Sequence, residues 1–302
     1  MSLKKRFIRG IIYYGLRILV LIASQIPMSI AVRVGGFLGK LVYYILHKER
    51  KKTIRNLTRA FPEKSEIEIK CIAKDCFVNL GKGLFELINL PKINKDNLDK
   101  IIKVKGEEHV KEALSKGKGL IFITGHVGNW ELLGAVFGIK GYKVNVIAAP
   151  LYDNRINELL IKQRAKHKVK VILRGSQDIK REIIKALRNN ESLCMLIDQD
   201  TKVPGVFVDF FGRPAYTPSG AASIALRTES PVLMGFITRL SDNIHRIDIK
   251  PPLQLIDTGD KDSDIKENTA LFTKIIEEQI RKTPEQWVWM HNRWKKQPEK
   301  HN

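Results

Sequence analysis

The sequence lacks the features that mark several common classes of protein. It has three cysteines in 302 residues, Cys71, Cys76 and Cys194. Their odd number and spacing exclude a disulfide scaffold and a zinc finger, so we expect reduced, buried thiols in a cytosolic compartment. Neither G-x-x-x-x-G-K-[ST] nor a paired G-x-G-x-x-G is present, which argues against nucleotide chemistry. Clustered histidines and a G-x-S-x-G elbow are absent too, so we expect no metal, no cofactor and no serine nucleophile.

Acidic residues are scarce relative to basic ones. The chain carries 32 Asp and Glu against 53 Lys and Arg, a formal net charge of +21. Such an excess predicts an acidic partner, which is nucleic acid, an anionic membrane or an acidic substrate. Nucleic acid is the least supported of the three, because the sequence contains no helix-turn-helix, zinc-finger or RNP motif.

A long uninterrupted apolar run is also missing, although residues 1–46 are rich in apolar side chains. A membrane-spanning helix needs about 20 mostly apolar residues, whereas here Arg17 interrupts the run and Pro27 follows it. No small-residue cleavage site indicates a signal peptide. We therefore predict a membrane-associating helical segment over 1–46 that inserts into one leaflet, with a pair of amphipathic core helices as the alternative. The charge run HKERKK then begins a catalytic domain over 47–302 and is either solvated or placed at lipid headgroups.

Strands and helices alternate through the rest of the chain. Residues 57–90 are predicted to be helical, with a capping box at Ser65 and Glu68 and a stop at Pro91. The alternation that follows predicts an α/β fold whose mixed, mostly parallel sheet is flanked by helices. The predicted strands are 119–124, 144–148, 169–173, 194–197, 206–210 and the pair 232–237 and 245–249, with a short one near Val104. The predicted helices are 107–116, 155–168, 178–189, 219–228 and 267–282.

The stretch GLIFITGHVGNWELLG, residues 119–134, contains the principal candidate site. A buried strand breaks at His126, and Asn129 is a good N-cap for the helix that follows. His126 therefore lies at the carboxyl end of a strand, where α/β sheets place their ligands. Glu131, in the first helical turn, can fold back toward the imidazole, fix its tautomer and leave the other nitrogen as a base. The alternative is a surface histidine beside a glutamate that only stabilises the helix start.

Arg174 follows another predicted strand, VKVIL. Because the carboxyl ends of strands meet at one edge of a sheet, we expect Arg174 to lie near His126. Its planar fork of donors suits a phosphate or a developing oxyanion. The alternative is a surface arginine that pairs with Asp178.

Asp198 and Gln199 follow a further buried strand and are expected at the same edge. We predict that they hydrogen-bond to substrate or to the loop that carries Phe211. Phe211 itself is predicted either to line an acyl channel or to belong to the core, as closely spaced aromatic residues more often do.

The ordered set of motifs resembles a known family. His126-x4-Glu131 after a strand is similar to the motif of the glycerolipid acyltransferase superfamily. The surrounding GHVGNWEL resembles the lipid A biosynthesis acyltransferases, the late lauroyl and myristoyl transferases. The resemblance covers roughly residues 50 to 295. Its other motifs, in order, are Asn56-Leu57, Ala60-Phe61-Pro62-Glu63, Asp198-Gln199, Phe210-Phe211-Gly212, Thr217-Pro218 and Trp287-x-Trp289-x-His291-x-Arg293-Trp294.

The resemblance implies an O-acyltransferase that needs no metal or cofactor. It would move a fatty acyl chain from acyl carrier protein to a hydroxyl of a lipid A precursor of the Kdo-lipid IVA type, completing lipid A and lipopolysaccharide biosynthesis. His126 and Glu131 would be catalytic, and Arg174, Asp198, Gln199, Asn129 and Phe211 would contact substrate. We expect acyl carrier protein, an anionic glycolipid and a membrane surface as partners, and no nucleic acid.

The expected location is the inner membrane, with the catalytic domain facing the cytoplasm, because a carrier-protein donor is cytosolic. Two alternatives remain open. One is acylation of another glycolipid or a lysophospholipid, possibly from acyl-CoA. The other is a basic, membrane-associated nucleic-acid-binding protein, which the charge alone suggests.

Overall fold

Two sheets and their flanking helices make up the part of the chain that the computed structural model describes, residues 3–240 and 244–298. The helices are α1 (Leu3–Ala23), α2 (Met28–Ile45), α3 (His47–Ala60), α4 (Glu66–Asn89), α5 (Leu98–Ile101), α6 (Glu107–Ser115), α7 (Trp130–Ile139), α8 (Asn154–Lys166), α9 (Ile179–Arg188), α10 (Gly220–Thr228) and α11 (Lys261–Lys282). The strands are β1 (Ile102–Lys105), β2 (Leu120–Thr124), β3 (Val144–Ala148), β4 (Val169–Leu173), β5 (Ser192–Leu196), β6 (Gly205–Asp209), β7 (Pro214–Pro218), β8 (Val232–Arg239) and β9 (His245–Ile249).

The main sheet has seven strands in the order β1-β9-β8-β2-β5-β3-β4. The five strands from β8 to β4 are parallel to one another, while β9 is antiparallel to β8 and parallel to β1. All five residues of β2 are buried, as expected for a central strand covered on both faces. The predicted α/β fold with a mixed, mostly parallel sheet is confirmed, and β2 and β5 are neighbours that end at the same edge.

Most predicted elements agree with the structure to within two residues, and the exceptions have local causes. Strand β7 was missed because prolines at both ends, Pro214 and Pro218, are typical of turns; it pairs with β6 as a separate antiparallel hairpin. Helix α11 begins at Lys261 rather than 267, because the Asp260 side chain caps a polar first turn that carries no apolar pattern. The pair β8 and β9 is confirmed, but β1 lies outside it at the edge of the sheet.

The N-terminal helices are only partly covered by the rest of the protein. Helix α1 runs through Arg17 without a break, and α2 begins directly after Pro27. Within the described residues, α2 alone is long and apolar enough to cross a membrane by length and composition, while the apolar part of α1 is shorter. Large apolar side chains of both helices are exposed, among them Ile11, Ile12, Ile18, Leu21, Ile22, Phe37, Leu41 and Ile45. Side chains of the basic residues at the start, Lys4, Lys5, Arg6 and Arg9, lie outside the described part.

The opposite face of α2 packs closely on α4. A Cβ atom at Gly39 would lie 2.3 Å from the Phe77 carbonyl oxygen, and one at Gly81 would lie 2.2 Å from the Gly35 oxygen. Only glycine allows the two backbones to approach this closely. One side of α2 thus belongs to the core while the other is exposed, and the domain division at residue 46 stays a prediction.

Helix α4 confirms the local signals read from the sequence. Ser65 and Glu68 form the predicted capping box, and a 3-10 turn containing Pro91 follows the helix. The cysteines are free thiols. Cys76 is buried and Cys194 is half-buried, but Cys71 is exposed on the outer face of α4, so the prediction of burial was wrong there.

Candidate active site

His126 lies in the tight loop between β2 and α7. Gly128 has a φ of +60°, and a Cβ atom there would lie 2.0 Å from the Ile237 carbonyl oxygen, so the loop requires glycine at this position. The Asn129 side chain accepts a hydrogen bond of 3.2 Å from the Leu132 backbone N–H and caps α7 as predicted. The loop is therefore held at both sides of His126 by the sheet and by the helix start.

The partner of the His126 ring is Asp198, which follows the neighbouring strand β5. Imidazole Nδ1 lies 2.8 Å from Asp198 Oδ1, and the His126 backbone N–H donates to Oδ2 at 2.8 Å. The indole N–H of Trp287 donates to the same Oδ2 at 2.7 Å. Burial raises the pKa of the Asp198 carboxyl, but the nearby His126 charge and the hydrogen bonds from His126 and Trp287 outweigh it and hold the pKa at about 2.

This arrangement prepares His126 to act as a general base. An ionised Asp198 only accepts hydrogen bonds, so Nδ1 carries a proton, and in the neutral form of the ring the lone pair lies on Nε2. Nε2 forms no hydrogen bond within the described residues, and the half-exposed ring borders a cleft. The ring of Trp130 packs edge-on against the imidazole, with centroids 4.8 Å apart, and fixes its plane.

Glu131 pairs with Arg164 rather than with the imidazole. Its two oxygens accept from Nε at 2.9 Å and from Nη2 at 2.6 Å of that arginine, a bidentate pair between half-buried side chains. The expected contact with His126 is therefore replaced, because α7 directs Glu131 toward α8 while the adjacency of β2 and β5 brings Asp198 under the ring. Arg164 was missed in the sequence, where nothing separates it from the other basic residues of α8.

A cleft with a cavity volume of about 220 Å³ opens at the carboxyl edge of the sheet. Four of the predicted site residues border it: His126, Glu131, Arg174 and Gln199. Arg164 joins them, so two arginine side chains border the same cleft as the imidazole. The remaining lining residues are Leu90, Trp130, Gly134, Ala135, Val146, Ile147, Ala148, Ala149, Val169, Leu196 and Thr201.

Arg174 lies at the predicted edge of the sheet and borders the same cleft as His126, although β5 and β3 separate its strand, β4, from β2. The residue is half-buried, and its backbone N–H donates to the Ala148 carbonyl at 2.8 Å, which extends the β3–β4 ladder by one residue. No ion pair with Asp178 is present in the part of the chain that the structure describes. The side chain borders the cleft, which favours the ligand-binding interpretation over the surface ion pair.

Asp198 borders the cleft only through His126. The sequence predicted bonds from Asp198 to substrate or to the loop of Phe211; its oxygens are instead occupied by His126 and Trp287. Phe211 is buried against Phe61 and Trp289. The structure thus places Phe211 in the core, and its contact with an acyl chain stays a prediction.

Asn129 is buried above a cluster of charged side chains. Its amide donates to Glu86 Oε2 at 2.8 Å, and Glu86 also accepts from both terminal nitrogens of Arg239 and lies 2.9 Å from His245 Nε2. Burial raises the pKa of Glu86, but the hydrogen bonds and charges of His245 and Arg239 outweigh it and hold the pKa at about 2. Asn129 thus links this network to the start of α7, and its contact with substrate stays a prediction.

The aromatic tail after α11, residues 287–294, packs against the side of the site that carries Asp198. Trp287, Trp289 and Arg293 are almost fully buried. The amide of Asn56 on α3 donates to the carbonyl oxygens of Trp289 and His291 at 2.8 and 2.9 Å. Two motifs more than 230 residues apart in the chain therefore meet, and the tail contacts the site through a bond from Trp287 to Asp198 that the sequence did not reveal.

Comparison with known proteins identifies the family of the chain. The family described as bacterial lipid A biosynthesis acyltransferase matches residues 4–296. The chain belongs to this family. The lipid A acyltransferase motifs between residues 50 and 295 all lie inside the match, so the resemblance read from the sequence is confirmed and the chain is an acyltransferase of this family.

Individual relatives include two enzymes of Escherichia coli (strain K12). The lipid A biosynthesis lauroyltransferase is 27% identical over 291 residues, covering 95% of this chain and 92% of the relative. The palmitoleoyltransferase is 25% identical over 289 residues, covering 95% and 91%. A phosphatidylinositol mannoside acyltransferase of Mycobacterium tuberculosis (strain ATCC 25618 / H37Rv) is 27% identical over 198 residues, covering 63% of this chain and 62% of the relative.

Proposed function

We propose that this acyltransferase moves a fatty acyl chain from acyl carrier protein to a hydroxyl group of a lipid A precursor. The observation that carries the proposal is the His126–Asp198 pair at the mouth of a cleft whose polar end holds Arg164 and Arg174. A base, an orienting carboxylate and fixed cations are the groups that acyl transfer to an alcohol requires.

The reaction then follows from the geometry of His126. Nε2 removes the proton of the acceptor hydroxyl as its oxygen attacks the thioester carbonyl, and the C–S bond breaks when the tetrahedral intermediate collapses. A thiol with a pKa of roughly 8.5 is a good leaving group, so the same imidazole can return the proton to sulfur. Asp198 stabilises the imidazolium that forms between the two transfers and keeps the ring in its tautomer.

We assign Glu131 a role in catalysis that acts through Arg164. The bidentate pair fixes the guanidinium at the edge of the cleft, where it can face the oxyanion of the intermediate. Backbone N–H groups at the start of α7 are the other candidate donors. Glu131, predicted from the sequence to be catalytic, is therefore proposed as the residue that positions Arg164.

Arg174 and Gln199 are the proposed acceptor-binding residues. A lipid A precursor carries phosphates, and a planar guanidinium binds phosphate with two parallel hydrogen bonds. The net charge of +21 also favours an anionic acceptor and an acidic donor. Likeness to the phosphatidylinositol mannoside acyltransferase over 198 residues supports a second candidate function, acylation of a different anionic glycolipid.

We further propose attachment to the cytoplasmic face of the inner membrane. The exposed apolar side chains of α1 and α2 form an apolar surface. Transfer of such a surface from water into lipid is favourable. The cleft opens on the main body of the protein, which must meet a cytosolic carrier protein. Shallow insertion of both helices from the cytoplasmic side satisfies both requirements.

Transfer from defined donors to defined acceptors tests the function. The purified protein is incubated with acyl carrier protein thioesters or acyl-CoA, and with a tetra-acylated lipid A precursor or a phosphatidylinositol mannoside. Mass spectrometry of the lipids is expected to show one added acyl group on the lipid A precursor with the carrier-protein donor. Acylation of the mannoside alone would favour the second function, and no product with any pair would refute the assignment.

A further inference from the structure

Helix α7 has a glycine, Gly134, on the face that borders the cleft. Trp130 and Gly134 are four residues apart, as are Glu131 and Ala135, so the two adjacent pairs lie on one face of the helix, and all four residues border the cleft. A Cβ atom at Gly134 would meet no atom within 4 Å. The cleft therefore extends along α7 from Trp130 and Glu131 to Gly134, where no side chain fills it.

Packing does not require glycine at this position. At Gly138, one turn further along α7, a Cβ atom would lie 1.8 Å from the His167 carbonyl oxygen, so only glycine fits there. At Gly134 the space is open, and alanine would favour the helix more than glycine does. The absence of a side chain at Gly134 thus serves the cleft and not the fold.

The chemistry of the cleft changes with depth. His126, Arg164 and Arg174 mark the polar end, at the carboxyl edge of the sheet. Val169 begins β4 and Arg174 follows its last residue, so the backbones of these two lining residues are about 17 Å apart at about 3.3 Å per residue. The other lining residues include Leu90, Gly134, Ala135, Val146 and Val169, which carry no charge. An apolar channel between α7 and strands β3 and β4, with polar side chains at one end, can hold one linear hydrocarbon chain.

We propose that Gly134 determines the length of the acyl chain that the enzyme accepts. The proposal rests on the proposed acyl transfer, and it assigns the hydrocarbon tail of the donor to the channel between α7 and strands β3 and β4. Gly134 lies about 6 Å along the helix axis from Trp130, at 1.5 Å per residue. A side chain at 134 would close the channel below the thioester, while His126 and the arginines at the mouth would keep their positions.

The test compares Gly134→Leu and Gly134→Ala with the parent over donors of increasing chain length. Leucine should shift the preferred chain to a shorter one, and each methylene group beyond the new limit should lower kcat/KM by about tenfold or more. Alanine should produce the same shift over fewer carbons. Gly220→Ala on α10 is the matched control, since its Cβ would make only an ordinary contact of 3.8 Å with Met195; its chain-length profile should equal that of the parent.

A binding measurement separates this inference from the proposed function. Affinity for free saturated fatty acids of different lengths does not depend on turnover, and Gly134→Leu should weaken the binding of the longest ones selectively. The parent protein could transfer no acyl group while Gly134→Leu still binds the longest fatty acids selectively more weakly than the parent does. In that case the proposed function fails and the channel assignment stands. An unchanged length preference in folded Gly134→Leu, in transfer and in binding, would overturn the role of Gly134.

Discussion

Asp198 binds both the ring and the backbone of His126, using one carboxylate oxygen for each. The ring bond, between Nδ1 and Oδ1, and the backbone bond to Oδ2 are both 2.8 Å long. One buried carboxylate therefore sets the tautomer of the imidazole and the position of its loop together. Glu131, the acidic residue of the sequence motif, takes no part in this pairing.

Replacing Asp198 by Asn should impair catalysis while keeping the shape of the site. An amide cannot stabilise an imidazolium, and its NH₂ group favours the wrong tautomer, so kcat should fall by roughly 10²–10⁴-fold. Steady-state kinetics with saturating acceptor measures the change. Asp200→Asn is the control, because Asp200 is bound to Lys296 rather than to the imidazole; equal losses in both variants would contradict the assignment.

His126→Ala should lower turnover by roughly 10²–10⁴-fold or more, the usual contribution of a positioned base. The fold should persist, because the ring is half-exposed at the cleft. Circular dichroism and a thermal melt establish folding, and acyl transfer establishes the loss. A folded His126→Ala protein with full activity would end the proposed mechanism.

Glu131→Gln should be milder than His126→Ala, and its effect should depend on Arg164. If Glu131 acts only by holding the guanidinium, then Glu131→Gln in an Arg164→Gln background should cost nothing further. A double-mutant cycle on kcat measures this coupling. Additive losses would show instead that Glu131 acts on the reaction independently of Arg164.

Arg174→Lys and Arg174→Ala should both raise the KM for the acceptor with little change in kcat, since a point charge lacks the planar fork that binds phosphate. The effect should be weaker on an acceptor stripped of its phosphates. A fall in kcat on both acceptors would assign Arg174 to the oxyanion instead. Kinetics equal to those of the parent on both acceptors would return Arg174 to the surface.

Acid should weaken the fold through Glu86. Its pKa is about 2 in the folded protein, below the ordinary value of 4.5, so its stabilising contribution is present above about pH 4.5 and is lost as pH falls toward 2. Glu86→Gln leaves Arg239 without its charge partner and should destabilise the protein by about 3–5 kcal/mol at neutral pH. The difference in unfolding free energy between parent and variant should narrow as pH falls from 7 to 3; a constant difference would contradict this account.

Membrane attachment should depend on the exposed apolar face of α2. Phe37→Ser combined with Leu41→Ser should move protein from the membrane pellet to the supernatant, because both side chains are exposed and would lose their lipid contact. Ile67→Ser removes an equally exposed apolar side chain from α4 and should leave sedimentation unchanged.

Orientation is a separate question that proteolysis answers. The body should be protected from added protease in intact spheroplasts and digested after lysis, because its carrier-protein donor is cytosolic. Digestion in intact spheroplasts would place the body on the other side of the membrane.

Local sequence signals predicted the parts of the site that lie within one strand–loop–helix unit. The loop of His126, the cap at Asn129 and the position of Arg174 after a strand all follow from short-range patterns and the strand-end rule. The choice between Glu131 and Asp198 as partner of the imidazole does not, because it depends on β5 lying next to β2. Strand order is a long-range property, and no residue near His126 encodes it.

Other contacts escaped prediction for related reasons. In the sequence Arg164 looks like the other basic residues of α8. Only its pairing with Glu131 of α7 in the folded protein distinguishes it. From the sequence, α2 was predicted to be either a membrane segment or a core helix. In the structure its glycines face α4, and its large apolar side chains point outward. One face of the helix belongs to the core, and contact of the other, exposed face with a membrane stays a prediction.

The bond from Trp287 to Asp198 has a consequence for the order in which a working enzyme appears during synthesis. A ribosome adds roughly 5–20 residues per second, so α1 and α2 are available to lipid well before the aromatic tail is made. His126 and Asp198 are translated after α2 and before the aromatic tail. The Asp198 carboxylate acquires its third hydrogen-bond donor only when Trp287 has left the ribosome. The site is therefore completed late in synthesis, after the N-terminal helices and both members of the His126–Asp198 pair have been made.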